Sequence, residues 1–236
     1  MSRLLSLLLV LLAQGEASAE VVDLVLGARG SVGGNLWTAP TQVPFSEDLW
    51  FSDTRGGYGG GGGIYLEGRF VRYVALEFGA QFEQDRLWEN QTFNAGLASA
   101  KQKLTTVTLN CRMPLIVKGV LPLPGIRLSL GVGPEFVLPI STRVEIEEVR
   151  GKVLLPFHIQ SRRENSIMVT TDLGITVTLP YHLLLPIHLR ASYNASQPKA
   201  WGDRVKHDAA TNTYSIAPQN SWDFRLLIGL GYEFRW

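Results

Sequence analysis

From Trp222 to Trp236 the chain reads WDFRLLIGLGYEFRW. Counted back from the end, Trp236, Phe234, Tyr232, Leu230, Ile228, Leu226, Phe224 and Trp222 form an apolar series. Arg235, Glu233, Gly231, Gly229, Arg225 and Asp223 stand between them, with Leu227 the one apolar exception. A two-residue period predicts a strand with one apolar and one polar face. Aromatics at both ends of such a strand suit a barrel wall that crosses a bilayer, with a ring at each interface.

The same alternation recurs along the chain, at about 22–30, 60–70, 74–87, 103–115, 126–138, 166–179 and 187–194. Long connections are expected at 31–57, 88–102, 139–165 and 195–221. Short turns are expected at 71–73, at 118–125 around Pro122 and Pro124, and at 180–186. Long and short connections therefore take turns, which is the pattern of an outer-membrane barrel with long loops outside and tight turns in the periplasm. The expected fold is all-β: a transmembrane antiparallel up-and-down β-barrel of about eight strands. Within the third long connection, Val144 and Ile146 still alternate with Arg143, Glu145 and Glu147. Strand ends that project above the membrane would read this way.

The amino-terminus fits an exported protein. Arg3, the apolar run from Leu4 to Ala13 and the small residues Ala17-Ser18-Ala19 have the order of a secretory signal peptide. The expected division is a leader at 1–19 and a barrel domain at 20–236. The apolar run is shorter than the ~20 residues a spanning helix needs, and no later segment is longer. Membrane residence must then be by strands, and the outer membrane of a Gram-negative bacterium is the expected location.

The inward faces of these segments carry Asp23, Arg29, Glu67, Glu77, Glu83, Arg112, Arg127, Glu135, Asp172, Arg190, Arg225, Glu233 and Arg235. The interior of an eight-stranded barrel is only wide enough for side chains to fill. An unpaired buried charge is very costly. A lumen charge network of Arg–carboxylate pairs is therefore expected, with Arg29, Glu67, Glu77, Arg112, Arg127, Glu135, Asp172, Arg190, Arg225 and Glu233 as its candidates.

At this point the chain resembles the small outer-membrane barrel superfamily that includes the OmpA transmembrane domain and OmpX. The leader, the eight alternating segments, the interior charges and the final GLGYEFRW carry that resemblance. It is architectural, covers nearly all of the chain after the leader, and has no counterpart of a peptidoglycan-binding domain. It implies that Tyr232, Phe234 and Trp236 act as the signal read by the barrel-assembly machinery during insertion, although Phe is the commoner last residue in that family.

Composition removes other classes. A net charge of +1 gives no argument for nucleic acid. Cys111 is the sole cysteine, so no internal disulfide forms, and it falls on a lipid-facing position as a small hydrophobe. Gly56 to Gly63, interrupted by Tyr58, lacks the Lys-Ser/Thr and the helix of a phosphate loop, and is read as a flexible loop entering a strand. His158, His182, His188 and His207 lack zinc-type spacing. His188 and Ser192 share one strand face, but four residues of rise separate them by roughly 13 Å. No nucleophile–base pair is visible, so neither an enzyme nor a cofactor is expected. Trp37, Trp50, Phe51, Phe93, Trp201 and Tyr214 lie in the expected outer segments. They anchor an envelope partner, or they fold the loops onto one another and onto the lipid interface. The expected role is structural or loop-mediated binding. A narrow ion or small-solute channel is the alternative, and a lipid-modifying enzyme the weaker one.

Overall fold

The computed structural model describes residues 23–36, 42–46, 49–71, 73–95, 98–151, 158–161, 165–196, 205–208, 213–216 and 222–234. The expected leader, together with Trp37, Trp201, Arg235 and Trp236, lies outside the described residues. In chain order the strands are β1 (Asp23–Leu36), β2 (Gln42–Ser46), β3 (Leu49–Val71), β4 (Val74–Ala95), β5 (Ala98–Leu123) and β6 (Ile126–Gly151). They continue as β7 (His158–Ser161), β8 (Ser166–Thr178), β9 (Leu183–Asn194), β10 (Val205–Asp208), β11 (Thr213–Ile216) and β12 (Trp222–Phe234).

Eight of them make a closed antiparallel barrel, β1-β12-β9-β8-β6-β5-β4-β3, in which β3 pairs back to β1. β2 extends the sheet as a hairpin on β3, and β10, β11 and β7 form a separate small sheet. The stagger follows from the register. Gly34 faces Phe224, and the ladder runs on through Ala191, Thr171, Val132, Val117, Leu76 and Gly68 to Leu24. One circuit thus returns to β1 ten residues lower. With ordinary strand spacings that stagger tilts the strands by about 40° and gives a backbone cylinder about 16 Å across.

The barrel is apolar outside and charged inside. On β8, Ile167, Val169, Leu173 and Ile175 are exposed, while Ser166, Met168, Thr170 and Asp172 between them are buried. Trp222 and Tyr232 face outward at the two ends of β12, ten residues apart. At this tilt they are separated by roughly 25 Å, the height of the apolar band of an outer-membrane barrel. Tyr193 packs tilted against Trp222 at the upper end, and Phe234 meets Tyr232 at the lower end. The outer band and its two aromatic belts are those of a transmembrane barrel. No helix among the described residues is long and apolar enough to cross a membrane.

Several expected connections are strand. Residues 88–95 pair with 98–105, with Asn94 opposite Ser99 and Ala95 opposite Ala98. Residues 139–151 continue β6, still paired to β5 as far as Gly151. These stretches lack clean alternation because above the bilayer no lipid demands an apolar face. Thr105 to Thr108 are buried on both faces at the base of this extension. β1 runs on to Leu36, so Asn35 belongs to the barrel wall.

The short turns are tighter than their prolines suggest. β5 continues through Lys118 to Leu123, and the turn is only Pro124 and Gly125. Gly125 has φ +75, a conformation that glycine takes at no steric cost. Of the expected turn at 180–186, only Pro180–His182 is a 3₁₀ turn, and Leu183–Pro186 belongs to β9. Pro114, Pro122, Pro134 and Pro186 all sit inside barrel strands. Each removes one ladder donor, but the long pairings on both sides hold the strand in line.

The glycine run, read as a flexible loop, lies within β3 and is paired on both sides, to β1 and to β4. A Cβ on Gly63 would overlap the carbonyl oxygen of Ala80, and one on Gly59 would overlap the Asp85 carboxylate and sit against Arg225. These glycines give a wall without side chains, and the long charged groups of neighbouring strands fill the space.

Candidate functional site

The lumen is filled by three tiers of ion pairs. The lowest lies at the end with the short turns. There Arg69 on β3 reaches Glu233 at 2.9 Å, Glu67 at 3.4 Å and Asp23 at 3.5 Å. Arg127 on β6 meets Glu233 at 2.7 Å. Val25, Tyr65 and Leu184 form a small apolar cluster just above.

The middle tier centres on Glu77 of β4, which is fully buried. It takes Lys118 at 2.5 Å, Arg190 at 2.5 Å and Arg29 at 2.6 Å. Lys118 also holds Glu67 at 2.9 Å. Arg190 donates its Nε to Asp172 at 2.6 Å, and the other Asp172 oxygen meets His188 Nδ1 at 2.6 Å. The Arg29 guanidinium lies 5.1 Å from the Tyr65 ring centre, within cation–π range.

The upper tier is built around Arg112 of β5. Its guanidinium touches four carboxylates: Glu83 at 2.8 Å, Glu135 at 2.9 Å, Asp85 at 3.1 Å, and Asp223. Arg225 on β12 shares three of them, Asp223 at 2.6 Å, Glu83 at 3.4 Å, and Asp85. Neutral donors complete the tier. Asn110 donates to Asp85 at 2.7 Å, Thr170 to Glu135 at 2.9 Å, and Ser31 to Glu83.

Of the expected residues, Arg29, Glu67, Glu77, Asp172 and Arg190 therefore meet in the middle tier. Arg112, Glu135 and Arg225 meet in the upper one, and Arg127 and Glu233 in the lower one. Tyr232 and Phe234 stand exposed on the outer face, in the lower aromatic belt. Cys111 faces outward and is partly exposed. Trp50 and Phe51 fall in β3, Phe93 in β4 and Tyr214 in β11. His188 and Ser192 are both buried, but His188 is held by Asp172 while Ser192 bonds Thr170 at 2.8 Å. Among the described residues no group of three or more His, Cys, Asp or Glu is arranged to hold a metal ion.

The expected network lacks Lys118, Asp85, Arg69 and Asp223, and it lacks Asp23 and Glu83, which the alternation places inward without naming them as members. Lys118 falls in an expected turn, yet it has the same parity as Arg112, separated by the inward Pro114 and Ile116. Carrying the two-residue period past those two residues finds it. Asp85 follows Glu83 at the same parity and was findable in the same way.

The tiers differ in charge balance. In the lower tier Asp23 and Glu233 face Arg69 and Arg127. In the middle tier Glu67, Glu77 and Asp172 face Arg29, Lys118 and Arg190. Among the described residues the upper tier sets four carboxylates against two guanidinium groups. Replacing Lys118 with methionine, which keeps the stem and removes the charge, leaves Glu77 and Glu67 with fewer partners. The expected loss is about 3 kcal/mol of barrel stability, read as a lower urea midpoint for the folded band on an unboiled gel. An unchanged midpoint would mean that Lys118 adds nothing to the tier.

No protein-family model and no curated protein sequence matches the chain. Among solved structures the chain is similar to the outer-membrane protein OprG of Pseudomonas aeruginosa, with TM-score 0.46, 11% identity, and coverage of 91% of this chain and 97% of that one. It is also similar to Ail, the attachment invasion locus protein of Yersinia pestis, with TM-score 0.39, 8% identity, and coverage of 90% and 99%. A third similar structure is the N-terminal β-barrel domain of Pseudomonas aeruginosa OprF, with TM-score 0.38, 10% identity, and coverage of 89% and 97%.

Proposed function

We propose that the protein is an outer-membrane β-barrel with a sealed lumen and a binding role, carried by the sheet that rises above the barrel. The observation behind this is where the strands stop. β8, β9, β12 and β1 end together, at Ser166, Asn194, Trp222 and Leu36. β4, β5 and β6 run on as a paired sheet to Ala95, Ala98 and Gly151, with β3 beside them to Leu49. One wall of the barrel is thus raised above the upper aromatic belt. A rigid sheet presents side chains to a partner more firmly than loops do. The apolar outer band makes outer-membrane lipid the constant neighbour, and insertion calls for the barrel-assembly machinery.

The three tiers argue for a closed bore. In planar bilayers the protein is expected to show no sustained conductance, and a stable open level would favour the channel reading. The binding role is tested by cross-linking in intact outer membranes through cysteines placed at 90–100 and 145–150, followed by mass spectrometry. A stoichiometric envelope protein linked there supports the reading. Cross-links to lipid alone would leave the barrel a purely structural element and overturn the binding role.

A further inference from the structure

On β4, Phe82, Gln84 and Trp88 face outward and are exposed, while Glu83, Asp85 and Leu87 between them are buried. Arg86 shares the outward parity and is half-buried. Its ladder neighbours are Tyr58 and Val107. Together with Gln84 and Trp88 on its own strand, they surround it without a carboxylate. Tyr58 and Trp88 pack on each other beside it, with ring centres 5.3 Å apart. At the tilt set by the register, Arg86 stands about 4 Å above Trp222. The headgroup layer of a bilayer is roughly 5–7 Å deep on each side, so Arg86 lies within it. Among the described residues the outer face between the two belts carries no charge, and Arg86 is the first cation above it.

The wall directly beneath Arg86 is bare. One step across the ladder and two residues down the strand lead from Arg86 through Tyr58 to Gly60. The same moves lead from Gly60 through Val32 to Gly30. At a tilt near 40° the sideways parts of the two moves cancel, and each pair of moves descends about 8 Å. Arg86, Gly60 and Gly30 therefore lie one below another along the membrane normal. Gly62, beside Gly30 in the ladder, widens the furrow. Packing demands glycine on the inward side of this run, where a Cβ on Gly61 or Gly63 would overlap a carbonyl oxygen across the ladder. On the outer side the demand is absent at Gly30, whose Cβ would meet only the Gly61 carbonyl oxygen at 3.7 Å. Barrel closure does not explain a bare outer wall there.

We propose that this strip of outer wall holds one molecule of a phosphorylated glycolipid of the outer leaflet, of the lipid A type. A headgroup phosphate accepts hydrogen bonds from the Arg86 guanidinium, whose planar fork suits phosphate. One acyl chain runs down the furrow over Gly60 and Gly30, with backbone as its floor and the exposed Val32 and Phe82 at its sides. The level of Arg86 decides the source of the phosphate. A lipid of the outer leaflet presents its phosphate at that height against the wall, with its chains leading down from it. The site lies below residues 90–100 and 145–150, so it is independent of what the raised sheet binds.

The test uses the full chain refolded in detergent micelles and native mass spectrometry. The probes are diphosphoryl lipid A and the same lipid stripped of its phosphates. The wild-type barrel is expected to retain one lipid A, about tenfold more tightly than the stripped lipid. Arg86→Gln should bring the two lipids to the same affinity, and Arg86→Lys should keep part of the preference. Gly30→Leu, which fills the furrow from the lipid side, should weaken both lipids alike. A heat-modifiable band on an unboiled gel shows that each variant is a folded barrel. Equal retention of the two lipids by the wild type would overturn the proposal, and so would a preference that survives Arg86→Gln or undiminished binding by Gly30→Leu. Displacement of lipid A by inorganic phosphate alone would also overturn it, by making Arg86 a site for a free anion.

Discussion

Replacing Arg112 with methionine is expected to cost the barrel about 3–5 kcal/mol, the range for breaking a buried pair by removing one partner. Arg112 is 2% exposed and touches Glu83, Asp85, Glu135 and Asp223. Without it, four carboxylates from β4, β6 and β12 face one another with Arg225 as their remaining guanidinium. Arg112→Lys should recover only part of the loss. An ammonium is a point charge, whereas the planar guanidinium meets several oxygens at once. Urea unfolding followed by the heat-modifiable shift on a gel measures both variants. If the methionine variant unfolds at the wild-type midpoint, the upper tier is not a structural plug and the sealed-lumen reading falls with it.

The second large effect is expected at Gly63, where even alanine should cost about 3 kcal/mol. The added Cβ would overlap backbone, the Ala80 carbonyl oxygen and the Gln81 Cα, which cannot swing aside as a side-chain end can. Gly30→Ala is the matched control. Gly30 lies on the opposite face of the neighbouring strand, and its Cβ would meet only the Gly61 carbonyl oxygen at 3.7 Å, an ordinary contact. That variant should stay within about 0.5 kcal/mol of the parent. Refolding yield and urea midpoint decide the matter. Equal tolerance at both positions would mean that the glycine run is not there to let β3 and β4 approach.

What could be read from the chain followed from lipid. Between the aromatic belts a strand has bilayer on one side and lumen on the other, and this forces the alternation seen from Trp222 to Phe234 and in the other barrel strands. Where lipid stops, the signal stops. The segment from Trp88 to Gln102 has no regular apolar alternation, so it reads as a loop although residues 88–95 and 98–102 are paired strand. Prolines misled in the same way. Pro122 and Pro124 suggest a wide turn that takes in Lys118, because a proline usually marks the end of a central strand. The parity from Arg112 to Lys118 carried the right answer.

The partners of the lumen charges were not legible at all. Arg112 and Asp223 are 111 residues apart, and Glu77 and Arg190 are 113 apart. No local pattern joins them. They meet because β1 closes on both β3 and β12, because the register returns ten residues lower after one circuit, and because a bore this narrow lets long side chains from facing walls touch. That charges face inward and apolar residues outward is legible in the chain, since the two-residue period assigns each side chain to a face. Which charge meets which, and how the charges divide into tiers, came from the assembled ring. Those outcomes depend on closure and stagger, which are properties of the whole ring of strands and of no single segment.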